Sequence, residues 1–307
     1  MKISIIGAAG TVGSCTTFAL ALRGLADEII MLDEKQNILG NHAMDINTAV
    51  SGMHNISVRT GQSADLTGTD VTIVCAGIHF PGSVPLKDRL AANIPIIKNI
   101  AANLKKYCPE SIILMVTNPI DTLTFVIYLT GYFDRKKLLG YNLNDSIRFR
   151  AATAKALGIG PLQVAGIAAG YHPTATVSLF SSLKVDGKPV SLDAEKKQRI
   201  LDESRNYLKA LDAFKADRTA GWTTAAGLAM MVEAIRDDAG VIMPCSAVLD
   251  GEYGYHDLSL GVPAVIGEAG INKILEWDLP LEERRELDAV AEKVKAECAL
   301  AKSILES

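Results

Sequence analysis

The chain has 307 residues, of which 49% are hydrophobic, and a formal net charge of −4. That length supports two lobes or one large α/β unit with a substantial core, and the mild acidity argues against nucleic acid or an anionic membrane as the main partner. Five scattered cysteines, Cys15, Cys75, Cys108, Cys245 and Cys298, form no CxxC pair, so neither a disulfide framework nor a zinc knuckle is indicated, no metal is expected, and reduced thiols in a cytoplasmic protein are predicted.

Lys2 leads straight into strand-forming residues without a signal-peptide layout, and no apolar run approaches the ~20 residues of a membrane span, so a soluble chain without membrane contact is expected. Ile3 to Ile6 reads as a buried first strand that stops at Gly7, with Gly10 and Gly13 following at three-residue spacing. Glycine is needed where a strand turns sharply into a helix, where the backbone approaches a pyrophosphate, and where helix and strand pack closely. The helix opening at Thr11 and Val12 offers N–H groups and the positive end of its dipole to phosphates. Three glycines alone are weak, because a structural turn has the same look and the dinucleotide fingerprint spaces its first pair more closely. Context adds weight: Ile29 to Leu32 reads as a second strand ending in Asp33, twenty residues past Gly13. An acid there accepts hydrogen bonds from an adenosine ribose and repels a 2′-phosphate, which favours NAD over NADP.

Helices are predicted from Thr11 to Arg23, closed by Gly24, and from about Lys35 to Ala49. Val71 to Cys75 and Ser111 to Val116 are further buried strands. The first runs into Ala76, Gly77 and a loop rich in glycine and proline; the second runs into Thr117-Asn118-Pro119-Ile120-Asp121. Ligands of open parallel sheets sit beyond the carboxyl ends of the strands, so both segments face the cofactor. This alternation predicts an α/β fold with a doubly wound parallel sheet.

Past Gly140 the texture changes to a helix from about Asp145 to Leu157, then strands, a hairpin turn at Val185-Asp186-Gly187-Lys188, and two or three long helices, the last over Leu281 to Leu305. A lobe boundary is placed near 140–144. Asp145 and Arg148 stand three apart on one helical surface, either as an ordinary ion pair or as a carboxylate beside a guanidinium fork suited to a substrate carboxylate. His172 closes an apolar strand next to Pro173 and is either a hydrogen-bonded structural residue or a proton carrier. Together the three are the set a carbonyl reduction requires: imidazole to move the hydroxyl proton, carboxylate to fix its tautomer, guanidinium to hold the substrate.

These residues resemble the L-lactate/malate dehydrogenases over nearly the whole chain. The resemblance is carried by Gly7, Gly10 and Gly13, Asp33, Thr117 to Asp121, Asp145-Ser146-x-Arg148-Phe149-Arg150, Gly170-Tyr171-His172, Leu249 to Gly254, and Gly261-Val262-Pro263. It implies a Rossmann-type NAD-binding domain over 1–142 and an α+β catalytic and substrate domain over 143–307. It further implies His172 as proton donor and acceptor, Asp145 as its partner, Arg148 as the clamp on the substrate carboxylate, and Asn118 between substrate and nicotinamide carboxamide. Ala76, Gly77, Asn93 and Thr117 then join the cofactor contacts, and the stretch from Gly77 to about Arg89 becomes a mobile lid. Family members commonly form dimers or tetramers, so a homodimer or homotetramer is expected.

The departures bear on chemistry. The family's lid arginine, seven residues before the asparagine matching Asn93, falls on Leu86; Lys87 and Arg89 are the replacements within reach, with Arg89 preferred because it keeps the fork. Malate enzymes place an arginine near Phe80 and lactate enzymes a glutamine. Phenylalanine cannot pair a second carboxylate, so a 2-hydroxy acid with an apolar side chain is expected, His79 offering at most a weak anion contact. The family's His-Gly-Asp is here His172-Pro173-Thr174. Trp222 and Thr224 are pocket candidates from a loosely matching region. Ala165 replaces a histidine that pairs with the place of Arg150 in sugar-bisphosphate-activated relatives, so no such activation is expected. Three readings stand: an NAD-dependent L-2-hydroxy acid dehydrogenase, including malate or lactate dehydrogenase proper; an NAD-dependent glycosidase, which would need a metal held by Cys and His; and a catalytically impaired NAD-binding homologue.

Overall fold

The computed structural model describes residues 1–80, 84–172, 175–216 and 220–306. Pro81 to Ser83 of the expected lid, and Pro173 and Thr174 after His172, lie outside the described residues. The first half alternates β1 (Lys2–Ile6), α1 (Thr11–Leu22), β2 (Glu28–Leu32), α2 (Gln36–Val50), β3 (Ser57–Thr60), β4 (Val71–Val74), α3 (Leu86–Tyr107), β5 (Ile112–Met115), α4 (Ile120–Leu129) and β6 (Leu138–Tyr141). These six strands pair in parallel in the order β3-β2-β1-β4-β5-β6, the doubly wound arrangement expected.

Burial on both faces explains the unbroken apolar runs. In β2, Ile29 and Met31 pack into one core with Leu20 and Leu39, while Ile30 and Leu32 pack into another with Leu90, Ile94 and Ile97 of α3. Alternate side chains of a strand point to opposite faces, and helices on both sides leave no face polar.

The second half contains α5 (Leu143–Leu157), β7 (Val164–Tyr171), β8 (Ala175–Val185), β9 (Lys188–Pro189), α6 (Ala194–Ala213), α7 (Gly221–Arg236), β10 (Val241–Asp250), β11 (His256–Gly267), β12 (Gly270–Ile274) and α8 (Leu281–Glu306). Asp186 (φ 49) and Gly187 (φ 75) form the hairpin turn between β8 and β9, since both take the left-handed conformation it needs. The antiparallel strands continue the parallel sheet: Tyr141 pairs with Cys245 and Gly140 with Ser246, and the order runs on through β10, β11, β7, β8 and β9. Among the described residues all twelve strands therefore belong to one sheet. Helix α8 packs against α3 and α4 on the parallel side and against β11, β7 and β8 on the other.

Candidate active site

The carboxyl ends of β1, β2, β4 and β5 form one rim of the site. Gly7 has φ +90, and a Cβ there would lie 2.5 Å from the Ala76 amide nitrogen; at Gly13 it would lie 2.4 Å from the Gly7 carbonyl oxygen. Both positions exclude any side chain. Gly10 is different: it is exposed, and its Cβ would meet only the Gly7 oxygen at 3.4 Å, so the room beside it lies on the solvent side. No side chain among the described residues caps α1, which leaves first-turn amides at Thr11, Val12 and Gly13 available to an anion. Asp33 is held at the tip of β2, one carboxylate oxygen accepting the Ala9 N–H and the other the Lys35 N–H, both at 3.0 Å. This cradle fits a dinucleotide pyrophosphate with an acid at ribose distance along the chain.

Behind the rim, Thr117 Oγ1 donates to the Ala76 carbonyl at 2.8 Å and joins the ends of β4 and β5. A Cβ on Gly77 would lie 2.4 Å from the Thr117 methyl carbon. Asn93 is buried, and its amide serves the backbone: Oδ1 accepts the Ile78 N–H at 2.8 Å, while Nδ2 donates to the carbonyls of Ile78 and Arg89. It fastens the root of the loop after β4 to α3. Asn118 is exposed at the turn into α4.

The extent of the lid differs from expectation. Leu86 to Arg89 already belong to α3, because Pro85 is suited to the helix entry and Asp88 favours the positive end of the dipole. Lys87 is exposed there and Arg89 half-buried, its Nε enclosed with no hydrogen-bond partner among the described residues. Phe80 is half-buried, with His79 exposed beside it.

The opposite wall comes from the second half. Leaving β6, the chain enters α5 and places Asp145 and Arg148 on its first turns, while His172 directly follows the end of β7. Asp145 bridges the other two: Oδ2 meets His172 Nδ1 at 2.6 Å and Oδ1 accepts Arg148 Nη1 at 3.0 Å. All three are buried, at 9%, 7% and 6% exposure for Asp145, Arg148 and His172. Burial pulls Asp145 toward its neutral form, but the facing His172 and Arg148 charges, with the hydrogen bonds from His172 and Thr176, outweigh it and hold the carboxyl below the usual range. The imidazole is thus fixed through Nδ1, and no hydrogen bond among the described residues engages Nε2.

A residue without a role assigned from the sequence braces this histidine. Asp121, fully buried in the first turn of α4, accepts the His172 backbone N–H at 3.1 Å through Oδ2, while Oδ1 has no partner among the described residues. Burial, only partly offset by Ser246 and the His172 amide, raises its carboxyl to about 7. The available signal was an acid inside the run Ile120 to Ile127, whose other residues are apolar or threonine. Asn142 supports the same strand end by donating to the Gly170 carbonyl at 3.1 Å, and a Cβ on Gly261 would lie 1.8 Å from that amide nitrogen.

The structure brings His172, Asp145 and Arg148 together; Arg89, Asn118 and Phe80 share no hydrogen bond with them among the described residues. Thr224 is buried and committed to protein, accepting from Asn144 Nδ2 and donating to the Ala220 carbonyl, both at 2.9 Å, so it supports the start of α5. Trp222 is 67% exposed in the first turn of α7.

Comparison with known proteins agrees along the whole length. Residues 1–140 match the family model described as lactate/malate dehydrogenase, NAD binding domain, and residues 143–304 match lactate/malate dehydrogenase, alpha/beta C-terminal domain. A malate dehydrogenase of Natronomonas pharaonis is 36% identical over 297 residues, covering 95% of this chain and 97% of that one. One from Halobacterium salinarum is 35% identical, covering 96% and 98%. Among solved structures, the malate dehydrogenase of Picrophilus torridus superposes with a TM-score of 0.92 at 28% identity, covering 99% of this chain and 98% of that one. The Cryptosporidium parvum lactate dehydrogenase, complexed with lactic acid and nicotinamide adenine dinucleotide, gives 0.92 at 28% identity with 98% of each chain covered.

Proposed function

Because the chain belongs to the lactate/malate dehydrogenase family and carries its NAD-binding domain, we propose that it interconverts an L-2-hydroxy acid with an apolar side chain and the corresponding 2-oxo acid. NAD supplies the hydride acceptor or donor. The observation that carries the reading is the single buried carboxylate of Asp145 holding both His172 and Arg148. In the oxidative direction His172 Nε2 takes the hydroxyl proton as the C2 hydride leaves, and in reduction it returns that proton to the carbonyl oxygen. Asp145 stabilises the imidazolium that forms between these events. Arg148 binds the substrate carboxylate through its remaining in-plane N–H groups.

On the cofactor rim, Gly7, Gly10, Thr11, Val12 and Gly13 are assigned to the pyrophosphate and Asp33 to the ribose. Ala76, Gly77, Asn93, Thr117 and Asn118 are assigned to the nicotinamide end, Asn93 acting through the loop it fastens. The carbonyl-polarising cation is assigned to Arg89. It stands three residues from Leu86 on α3 and so shares that residue's helical face, whereas Lys87 points about 100° away. Its Nε, enclosed and without a hydrogen-bond partner among the described residues, supports a guanidinium awaiting an acceptor.

The apolar side chain is read from Phe80, half-buried where a second substrate carboxylate would need a cation. L-Malate is the second reading, favoured by the relatives named malate dehydrogenase. NADH oxidation with pyruvate, oxaloacetate, phenylpyruvate and branched 2-oxo acids separates them. The first reading expects the highest kcat/KM with an apolar 2-oxo acid; oxaloacetate at the top of the ranking refutes it in favour of malate. Reading 1–142 as the NAD half and 143–307 as the catalytic half follows from this division of roles. Among the described residues no helix is long and apolar enough to cross a membrane, and no disulfide joins the cysteines, which supports a cytoplasmic setting. Exposed Phe18 and Leu22 on α1 and Met44 on α2 support a homodimer or homotetramer.

A further inference from the structure

The guanidinium assigned to the substrate has a neighbour on another helix. On α6 the buried Ile200 packs with Phe149, Ala152 and Ala154 of α5, and Tyr207 follows seven residues later, two turns along the same face. The helices run antiparallel here. Lys155 meets Glu203 at 2.9 Å, and two turns nearer the start of α5 the guanidinium carbon of Arg148 stands 4.7 Å from the centre of the Tyr207 ring.

Arg148 is desolvated, and among the described residues the one carboxylate it pairs with is shared with His172. Its Nε is enclosed with no hydrogen-bond partner among the described residues. An aromatic face relieves such a cation from above its plane, through the ring quadrupole, without engaging any N–H. A second acid in that place would neutralise the charge but occupy the edge donors. The ring leaves those donors open to a planar carboxylate, in the geometry guanidinium binds best.

We propose that Tyr207 is a positioning residue for the substrate, its ring face holding the plane of the Arg148 guanidinium so that the open N–H edge meets the carboxylate of a 2-oxo acid. The inference rests on Arg148 as the carboxylate anchor. It assigns to α6 a part in substrate affinity and none in cofactor affinity.

The test titrates oxamate, a small carboxylate-bearing analogue of a 2-oxo acid, into the complex with NADH, followed by NADH fluorescence. Wild type, Tyr207→Phe and Tyr207→Leu are compared, with NADH affinity measured separately. Tyr207→Leu is expected to weaken oxamate about tenfold, while Tyr207→Phe keeps the wild-type value and NADH affinity is unchanged in both. Unchanged oxamate affinity in Tyr207→Leu overturns the inference. So does an equal loss in Tyr207→Phe, which would assign the effect to the hydroxyl. A parallel loss of NADH affinity and melting temperature in Tyr207→Leu reduces the residue to a structural contact. If wild type binds NADH but no oxamate, the 2-oxo acid reading itself falls and the inference with it; oxamate binding indifferent to Tyr207 removes the inference alone.

Discussion

A lone carboxylate, Asp145, faces both an imidazole and a guanidinium, and this sharing sets what each substitution should do. His172→Ala removes the imidazole proposed to carry the proton but leaves the glycine cradle intact; kcat/KM should fall by roughly 10²–10⁴ with NADH affinity unchanged by fluorescence titration. Arg89→Gln should lower kcat by about a hundredfold or more, while Lys87→Gln leaves steady-state kinetics near wild type; equal effects would show that neither cation serves the carbonyl. Much of this was readable along the chain. The spacing of Asp145 and Arg148 puts them on one surface, and the ion pair forms as spacing predicts. That His172 meets the same acid from 27 residues away follows from the fold and not from any local pattern. Tyr207 left no trace at all, because its ring reaches Arg148 only across the packing of two helices.

At the scale of elements, the loop after β4 is fastened to α3 by one buried amide. Asn93→Ala leaves the Ile78 N–H without its acceptor, and an orphaned backbone donor costs about 1–3 kcal/mol. Chemical denaturation should register that loss, and the KM for NADH should rise, since Gly77 and Ile78 border the rim proposed to hold the cofactor. Strand and helix positions in the first half were legible because both faces of each strand are covered and the apolar runs are unbroken. The helical start of α3 at Leu86 was not, since the glycines and prolines before it read as loop and mask where the turn begins. Its consequence is chemical: Arg89 is carried by a helix instead of a flexible loop.

For the whole molecule, Asp121 links the two halves, rooted in the first turn of α4 and hydrogen-bonded to the backbone amide of His172, just past the end of β7. Burial raises its carboxyl from 3.8 to about 7, so the folded chain binds this proton more tightly than the unfolded chain. The stability it contributes is fully present below pH 3.8 and is lost as pH rises through about 7. Urea midpoints measured across that window should fall more steeply in wild type than in Asp121→Asn; parallel slopes would refute the assignment. The parallel strand order was foreseeable from alternating strands and helices. The joining of β6 to β10 was not, because it pairs Tyr141 with Cys245 across more than a hundred residues and no short-range signal encodes it.

That seam has a mechanical consequence. With the glycine cradle and the His172–Asp145 pair stitched into a single backbone ladder and strapped by α8, parting the two halves like a clamshell would tear the β6–β10 pairing. Any movement that admits substrate is therefore cheaper in side chains than across that seam, where main-chain hydrogen bonds would have to break.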